Sequence, residues 1–302
     1  MTPILRLQGR LFCGLALALA LTSLLGARLE PRHELLATGV LVLLLGMPHG
    51  AFDVLTARRL FGAADFKVWA GFCLAYLGLA TAVVGVWAVA PTSFLCAFLL
   101  LSALHFGGDP GAGASRIARL LYGGAVIVLP AGWHLDELQQ LLAWVAGPDS
   151  AARVAPVLHH LAAPWLAATL LACWLQLRTS ALVAAELAAL ALLCVAAPPL
   201  VAFCAYFCVM HSPRHILRTL AMLPAADIRQ AVALALWPTL AVLFVAALLL
   251  GQANHLPLEA RVVEVVFVGL AALTLPHMVL IECSRRARAS AALAAQHRQC
   301  AR

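Results

Sequence analysis

Ten apolar runs, separated only by short charged or Pro/Gly-rich stretches, dominate this chain of 302 residues. They fall at residues 11–27, 34–47, 68–90, 93–106, 117–133, 164–177, 180–197, 200–215, 231–250 and 262–282. A membrane-crossing helix takes about 20 apolar residues, so ten of them would use roughly 200 and leave no room for a large extramembrane domain. Composition agrees: 64% of the residues are apolar and 11% charged, against about a quarter charged in a soluble domain. The expected fold is all-α, a polytopic membrane helix bundle of about ten (eight to ten) transmembrane helices. A single membrane domain is expected over residues 1–284, followed by a basic cytoplasmic tail at 285–302. The runs at 34–47, 93–106 and 164–177 are shorter than a full span, so they must extend through polar flanks, tilt or break. Residues 136–146 read as an interfacial segment.

A net charge of +7 would point to nucleic acid in a soluble protein. Here 19 arginines and the single Lys67 lie in short loops, where they set orientation, so no nucleic-acid partner is expected. Arg58, Arg59 and Lys67 follow the second run, Arg116 and Arg119 the fourth, Arg178 the sixth, Arg218 and Arg229 the eighth, and Arg285, Arg286 and Arg288 the tenth. That side is therefore the cytoplasmic one, and both termini are expected there in a multi-pass arrangement in a bacterial-type inner membrane. The connection at 132–163 belongs on the opposite side; Arg28, Arg32 and Arg153 depart from the pattern. The first run, behind Arg6 and Arg10, has the outline of a signal peptide. No convincing small-x-small cleavage site follows it, and it reads as the first membrane helix. Nine cysteines with no C-x-x-C pair read as small buried hydrophobes.

Eleven histidines are unusual company for this composition. His33, His134, His159, His160, His255 and His297 fall in expected loops or interfaces and carry no assignment. His49, His105, His211, His215 and His277 lie inside or at the ends of even-numbered runs, each shortly before the basic cluster that ends its helix. All five are thus expected at similar depth near the cytoplasmic leaflet. Polar side chains in hydrocarbon must face the bundle interior and find partners, and a converging set of imidazoles favours a metal ion. His211 and His215, four apart, share a helix face. Cys204 and Cys208 share that stripe, but the four residues span roughly 16 Å of helix, so the cysteines are expected only to pack. Asp53 and Asp109 each lie four residues after a histidine, His49 and His105, where in helical geometry a carboxylate can accept the second ring N–H; direct ligation is the other option. Imidazole suits iron, copper or zinc, and spacing does not choose among them. A dry intramembrane cavity calls for an apolar substrate.

At these motifs the chain resembles the Brp/Blh family of membrane β-carotene 15,15′-dioxygenases. The resemblance rests on Pro48-His49-Gly50-Ala51 with Asp53, His105-Phe106-Gly107, Tyr206-Phe207 leading to His211-Ser212-x-Arg214-His215, and Leu275-Pro276-His277. Met210 stands where that family carries a tryptophan, and Gly108 where an acidic residue is common. The resemblance implies a non-haem Fe(II) enzyme that uses O2 to cleave the central double bond of β-carotene into two retinals. Its iron ligands map onto His49, His105, His211 and His215, with His277, Asp53 and Asp109 as additional or supporting groups. It also implies a functional link to a retinal-binding rhodopsin in the lipid bilayer. Phe203, Tyr206 and Phe207 are candidates for lining the polyene tunnel. A di-iron desaturase would need about eight histidines in paired H-x-x-H-H boxes. The remaining alternatives are haem ligation and a carotenoid or retinoid carrier or proton-coupled transporter with an intramembrane His/Asp relay.

Overall fold

Proline is the first residue of seven of the fifteen α-helices among the described residues, a place it suits because its missing N–H is one of the four that a helix N-terminus leaves unpaired. In a computed structural model, residues 2–62, 65–111, 113–252 and 256–300 are described, without the side chains of residues 288 and 291–300. His255 and the side chain of His297 therefore lie outside the description. Helices α1 (Pro3–Leu24), α2 (Pro31–Leu41), α3 (Pro48–Ala51) and α4 (Asp53–Phe61) come first, with a π-helical turn, Val42–Gly46, between α2 and α3. Then follow α5 (Phe66–Val89), α6 (Pro91–Phe106), α7 (Arg116–Val128), α8 (Pro130–Trp133), α9 (Leu135–Ala146), α10 (Pro148–Leu177) and α11 (Ala181–Ala196). The chain ends with α12 (Pro199–Ala205), a second π-helical segment (Tyr206–His211), α13 (Ser212–Leu220), α14 (Ile228–Gln252) and α15 (Leu258–Cys300). No strand occurs among the described residues.

All ten apolar runs are helical, but they do not give ten full spans. Among the described residues, seven helical stretches are long and apolar enough to cross a membrane: Pro3–Leu24, Pro31–Phe61, Phe66–Val89, Pro148–Leu177, Pro199–Leu220, Ala225–Gln252 and Leu258–Ala287. The helices at 93–106, 117–133 and 180–197 fall short, with 16, 13 and 16 residues. The second of these is cut at Leu129, ahead of Pro130. The connection expected at 132–163 is itself helical, holding α9 and the first half of α10. Pro164 does not begin a helix there, because Pro156 and Pro164 both lie within the 30 residues of α10, as neighbouring elements allow in a membrane bundle. His159 and His160, expected in a loop, thus sit on α10. Helix α15 continues through the expected tail boundary at 285.

The core is built around α11, ten of whose residues are buried, with α1, α7, α8, α10 and α12 packed about it. By contrast, none of the 24 residues of α5 is buried. Within α11 lies one charge, Glu186, which is 0% exposed and pairs with the equally buried Arg214 of α13 at 2.7 Å. The guanidinium grips both carboxylate oxygens (3.0 and 2.7 Å) and donates from Nε to Gln8 of α1 at 2.8 Å. A Cβ at Gly9 would lie 2.1 Å from the Glu186 carboxylate, so only glycine lets α1 pass over the pair.

The two π-helical segments pack against each other, and their irregular carbonyls find side-chain donors. Gln8 Nε2 donates to Val209 and Met210 oxygens (2.7 and 3.1 Å), and Ser212 Oγ to Leu45 oxygen (2.8 Å). Such turns occur mostly at functional sites. Cys204 and Cys208 face the Thr38 and Leu41 carbonyls of α2 and are free thiols, packed as expected.

Removing one partner of a buried ion pair strands the other charge, so Glu186→Ala should lower stability by about 3–5 kcal/mol. Thermal unfolding in detergent measures this; an unchanged melting temperature would show that the pair contributes nothing.

Candidate metal centre

The five intramembrane histidines come together although they arrive from five separate elements. His49 is on α3, His105 at the end of α6, His211 at the end of the second π segment, His215 on α13 and His277 on α15. Ring centroids lie 4.7 Å apart for His105 and His211, 4.9 Å for His215 and His277, and 5.0 Å for His49 and His211. His277 is 5.1 Å from His105 and 5.5 Å from His49. A Cβ at Gly46 would sit 2.3 Å from the Phe207 ring; the absent side chain lets Phe207 approach His49 to 5.4 Å.

Three rings are oriented by acceptors. His49 Nδ1 meets Gly46 oxygen at 2.6 Å, His277 Nδ1 meets Asp53 Oδ1 at 2.7 Å, and His211 Nδ1 meets Asp109 at 3.0 and 3.2 Å. A carbonyl or carboxylate can only accept, so each Nδ1 carries the proton and each Nε2 offers a lone pair. The Nε2 atoms of His105, His211 and His277 are buried with no hydrogen-bond partner among the described residues. Stranding a buried polar atom costs about 1–3 kcal/mol, and three of them in one apolar cluster match what a cation would fill. Ligand atoms of His49, His105 and His277 lie within 4.8 Å of one another, and so do those of Asp53, His215 and His277. His277, expected at the margin, belongs to both groups, while His211 enters neither and reaches the cluster through its ring contacts and its orphaned Nε2.

The carboxylates do not serve the histidines expected from spacing. Helix α3 ends at Ala51 and a turn at Phe52 precedes α4, so Asp53 is not one helical turn along from His49 and reaches His277 instead. Helix α6 ends at Phe106, and the turn at Gly107-Gly108 carries Asp109 across to His211. Each carboxylate also accepts from a tyrosine: Tyr76 OH donates to Asp53 at 2.8 Å, and Tyr206 OH to Asp109. The Asp109 turn is held by three arginines on its carbonyls, with Arg119 on Gly111 (2.8 Å), Arg214 on Asp109 (3.2 Å) and Arg218 on Gly108 and Asp109 (2.8 and 2.6 Å).

Of the expected tunnel residues, Phe203 lines an apolar cavity with Phe98, Phe106, Leu142, Val145 and Phe267. Phe207 stacks on both Phe203 (5.2 Å) and His211 (5.3 Å). Tyr206 is fully buried and absent from that lining, since its hydroxyl is engaged by Asp109. Sequence reasoning missed Tyr76 and Glu186. A lone carboxylate inside an apolar run is a signal that a partner exists, and Glu186 carried that signal.

Residues 40–284, a stretch that includes all five histidines and both aspartates, match the family described as beta-carotene 15,15′-dioxygenase. The chain is 31% identical over 255 residues to a beta-carotene 15,15′-dioxygenase of the uncultured marine bacterium 66A03, covering 80% of this chain and 90% of that relative. No solved structure matches it. A match over most of the chain, on top of a buried imidazole cluster braced by carboxylates, means that this protein belongs to the β-carotene 15,15′-dioxygenase family.

Proposed function

We propose that the chain cleaves the central double bond of β-carotene with O2 to give two retinals, at a non-haem Fe(II) held by His49, His105, His211 and His215. The observation that supports a metal here most is the set of orphaned Nε2 atoms of His105, His211 and His277 in apolar surroundings; the choice of His49 and His215 as ligands beside His105 and His211 rests on the family resemblance. When bound, the ion would supply O2 activation beside an electron-rich double bond, with no need for a protein nucleophile. The chain does the rest. Asp109 and Asp53 hold the Nδ1 protons of His211 and His277, and their charges lie one hydrogen bond behind the rings, where they offset a cation. Tyr206 and Tyr76 keep those carboxylates from turning away. Phe106, Phe203 and Phe207 wall the site with apolar surface, which excludes water and suits a polyene. The retinal product fits a functional partnership with a retinal-binding rhodopsin in the same membrane. Membership of a dioxygenase family does not favour the carrier reading.

We also propose that both termini lie on the cytoplasmic face of a bacterial-type inner membrane, because the basic clusters follow the even-numbered runs; this requires the short helices α6, α7 and α11 to cross together with the seven long stretches. A reporter joined after Arg302 should be active in the cytoplasm; activity only in the periplasm would reverse the orientation.

Alanine at His49, His105, His211 or His215 should strip iron and abolish retinal formation, whereas His277→Ala should lower turnover and keep most of the iron. Iron content of purified, folded protein decides this together with retinal yield in carotene-producing bacteria. Because His277 lies in both close groups, full iron loss in His277→Ala with retention in His211→Ala would put His277 in the ligand set in place of His211. Asp109→Asn, which weakens the hold on His211, should reduce metal affinity about 10–100-fold, read by metal titration of the apoprotein.

A further inference from the structure

A second apolar chamber opens directly beside His49. Gly50 and Asp53 form its inner end, Phe72 and Tyr76 of α5 line it, and so do Pro238 and Val242 of α14. Gly46 is tightly covered, but a Cβ at Gly50 would meet no heavy atom within 4 Å. The space next to a buried histidine is therefore open. The lining helices lie on the outside of the bundle: α5 buries none of its residues, and α14 buries only Ala231, Ala235 and Ala246. Leu77, which also lines the chamber, is 62% exposed and marks a rim that faces lipid.

The chamber's chemistry selects its occupant. The Tyr76 hydroxyl is engaged by Asp53, the Asp53 carboxylate by Tyr76 and His277, and the Thr239 hydroxyl by the Ala235 carbonyl. With these polar groups already satisfied, what remains to meet a ligand is hydrocarbon and aromatic surface. Gly50 follows His49 on α3 and Asp53 holds the ring of His277, so the inner end of the chamber borders the candidate metal centre.

We propose that this chamber is the lipid-side half of the substrate site. An elongated apolar polyene enters from the bilayer between α5 and α14 and keeps one half there, beside His49, while its middle lies against the histidines; Gly50 sets the clearance. The proposal rests on the reading of the chain as a β-carotene-cleaving enzyme, and it adds the route and the residues that govern it.

Cys73, exposed and lining the chamber, gives a probe that does not depend on turnover. In a variant with Cys96, Cys283 and Cys300 replaced by serine, β-carotene in the liposome bilayer should slow N-phenylmaleimide labelling of Cys73 at least fivefold, with or without iron. Gly50→Phe should keep its iron and melting temperature, lose that protection and turn over at least tenfold more slowly. Val242→Trp, remote from the histidines, should act in the same direction and covers the case in which Gly50→Phe fails to fold. If wild-type protein makes retinal while β-carotene leaves Cys73 labelling unchanged, the chamber is not part of the route and the proposal is overturned. If β-carotene protects Cys73 but wild-type protein forms no retinal, the chamber stands and the cleavage reading fails.

Discussion

The fully buried contact between Arg214 and Glu186 is the interaction on which the rest of this bundle depends. A guanidinium in hydrocarbon is tolerated only with a partner charge and filled hydrogen bonds. Arg214 gets both by drawing α1, α11, α13 and the turn after α6 to one point. That turn carries Asp109, whose carboxylate orients His211. A charge pair two contacts away thus helps to fix the direction of a ring nitrogen at the centre.

Rigidity and looseness are distributed unevenly around the histidines. Toward α11 and α12 the site rests on the main core, with stacked aromatics and two π-helical segments cross-braced by Gln8 and Ser212. Toward α5 and α14 it borders helices that bury little, and α14 rests on α3 and α4 through a small satellite cluster of Ala51, Phe52, Leu55, Ala231 and Ala235. A centre that must hold several imidazoles within ångströms and yet admit a large apolar molecule needs both kinds of wall.

Much of this was legible in the residues. Apolar runs of membrane length can hardly be anything but helices, and five histidines at matching ends of alternate runs had to meet if the runs were antiparallel neighbours. Phe203 was legible as a neighbour of the histidines because it lies about two turns before His211 on one continuous helical stretch, Pro199–Leu220. The partners of Asp53 and Asp109 were not, because the i to i+4 argument assumes an unbroken helix and the chain breaks between donor and acceptor in both motifs. Span lengths were misjudged at two prolines: Pro164, read as a boundary, lies inside a helix, and Pro130, read through, follows a break. Glu186 announced the need for a partner, but nothing local said that the partner was Arg214, 28 positions on.

Gln8 carries a consequence for how the protein is made. It sits on α1, yet its acceptors at Val209 and Met210 and its donor at Arg214 lie 201 to 206 positions later. At 5–20 residues per second, that is a delay on the order of ten to forty seconds. Through that interval α1 holds a polar amide in the bilayer with its eventual partners still unmade. These contacts of α1 can therefore form only once α13 has been made, so the side of the bundle that carries the ion pair is completed by a helix that was already waiting.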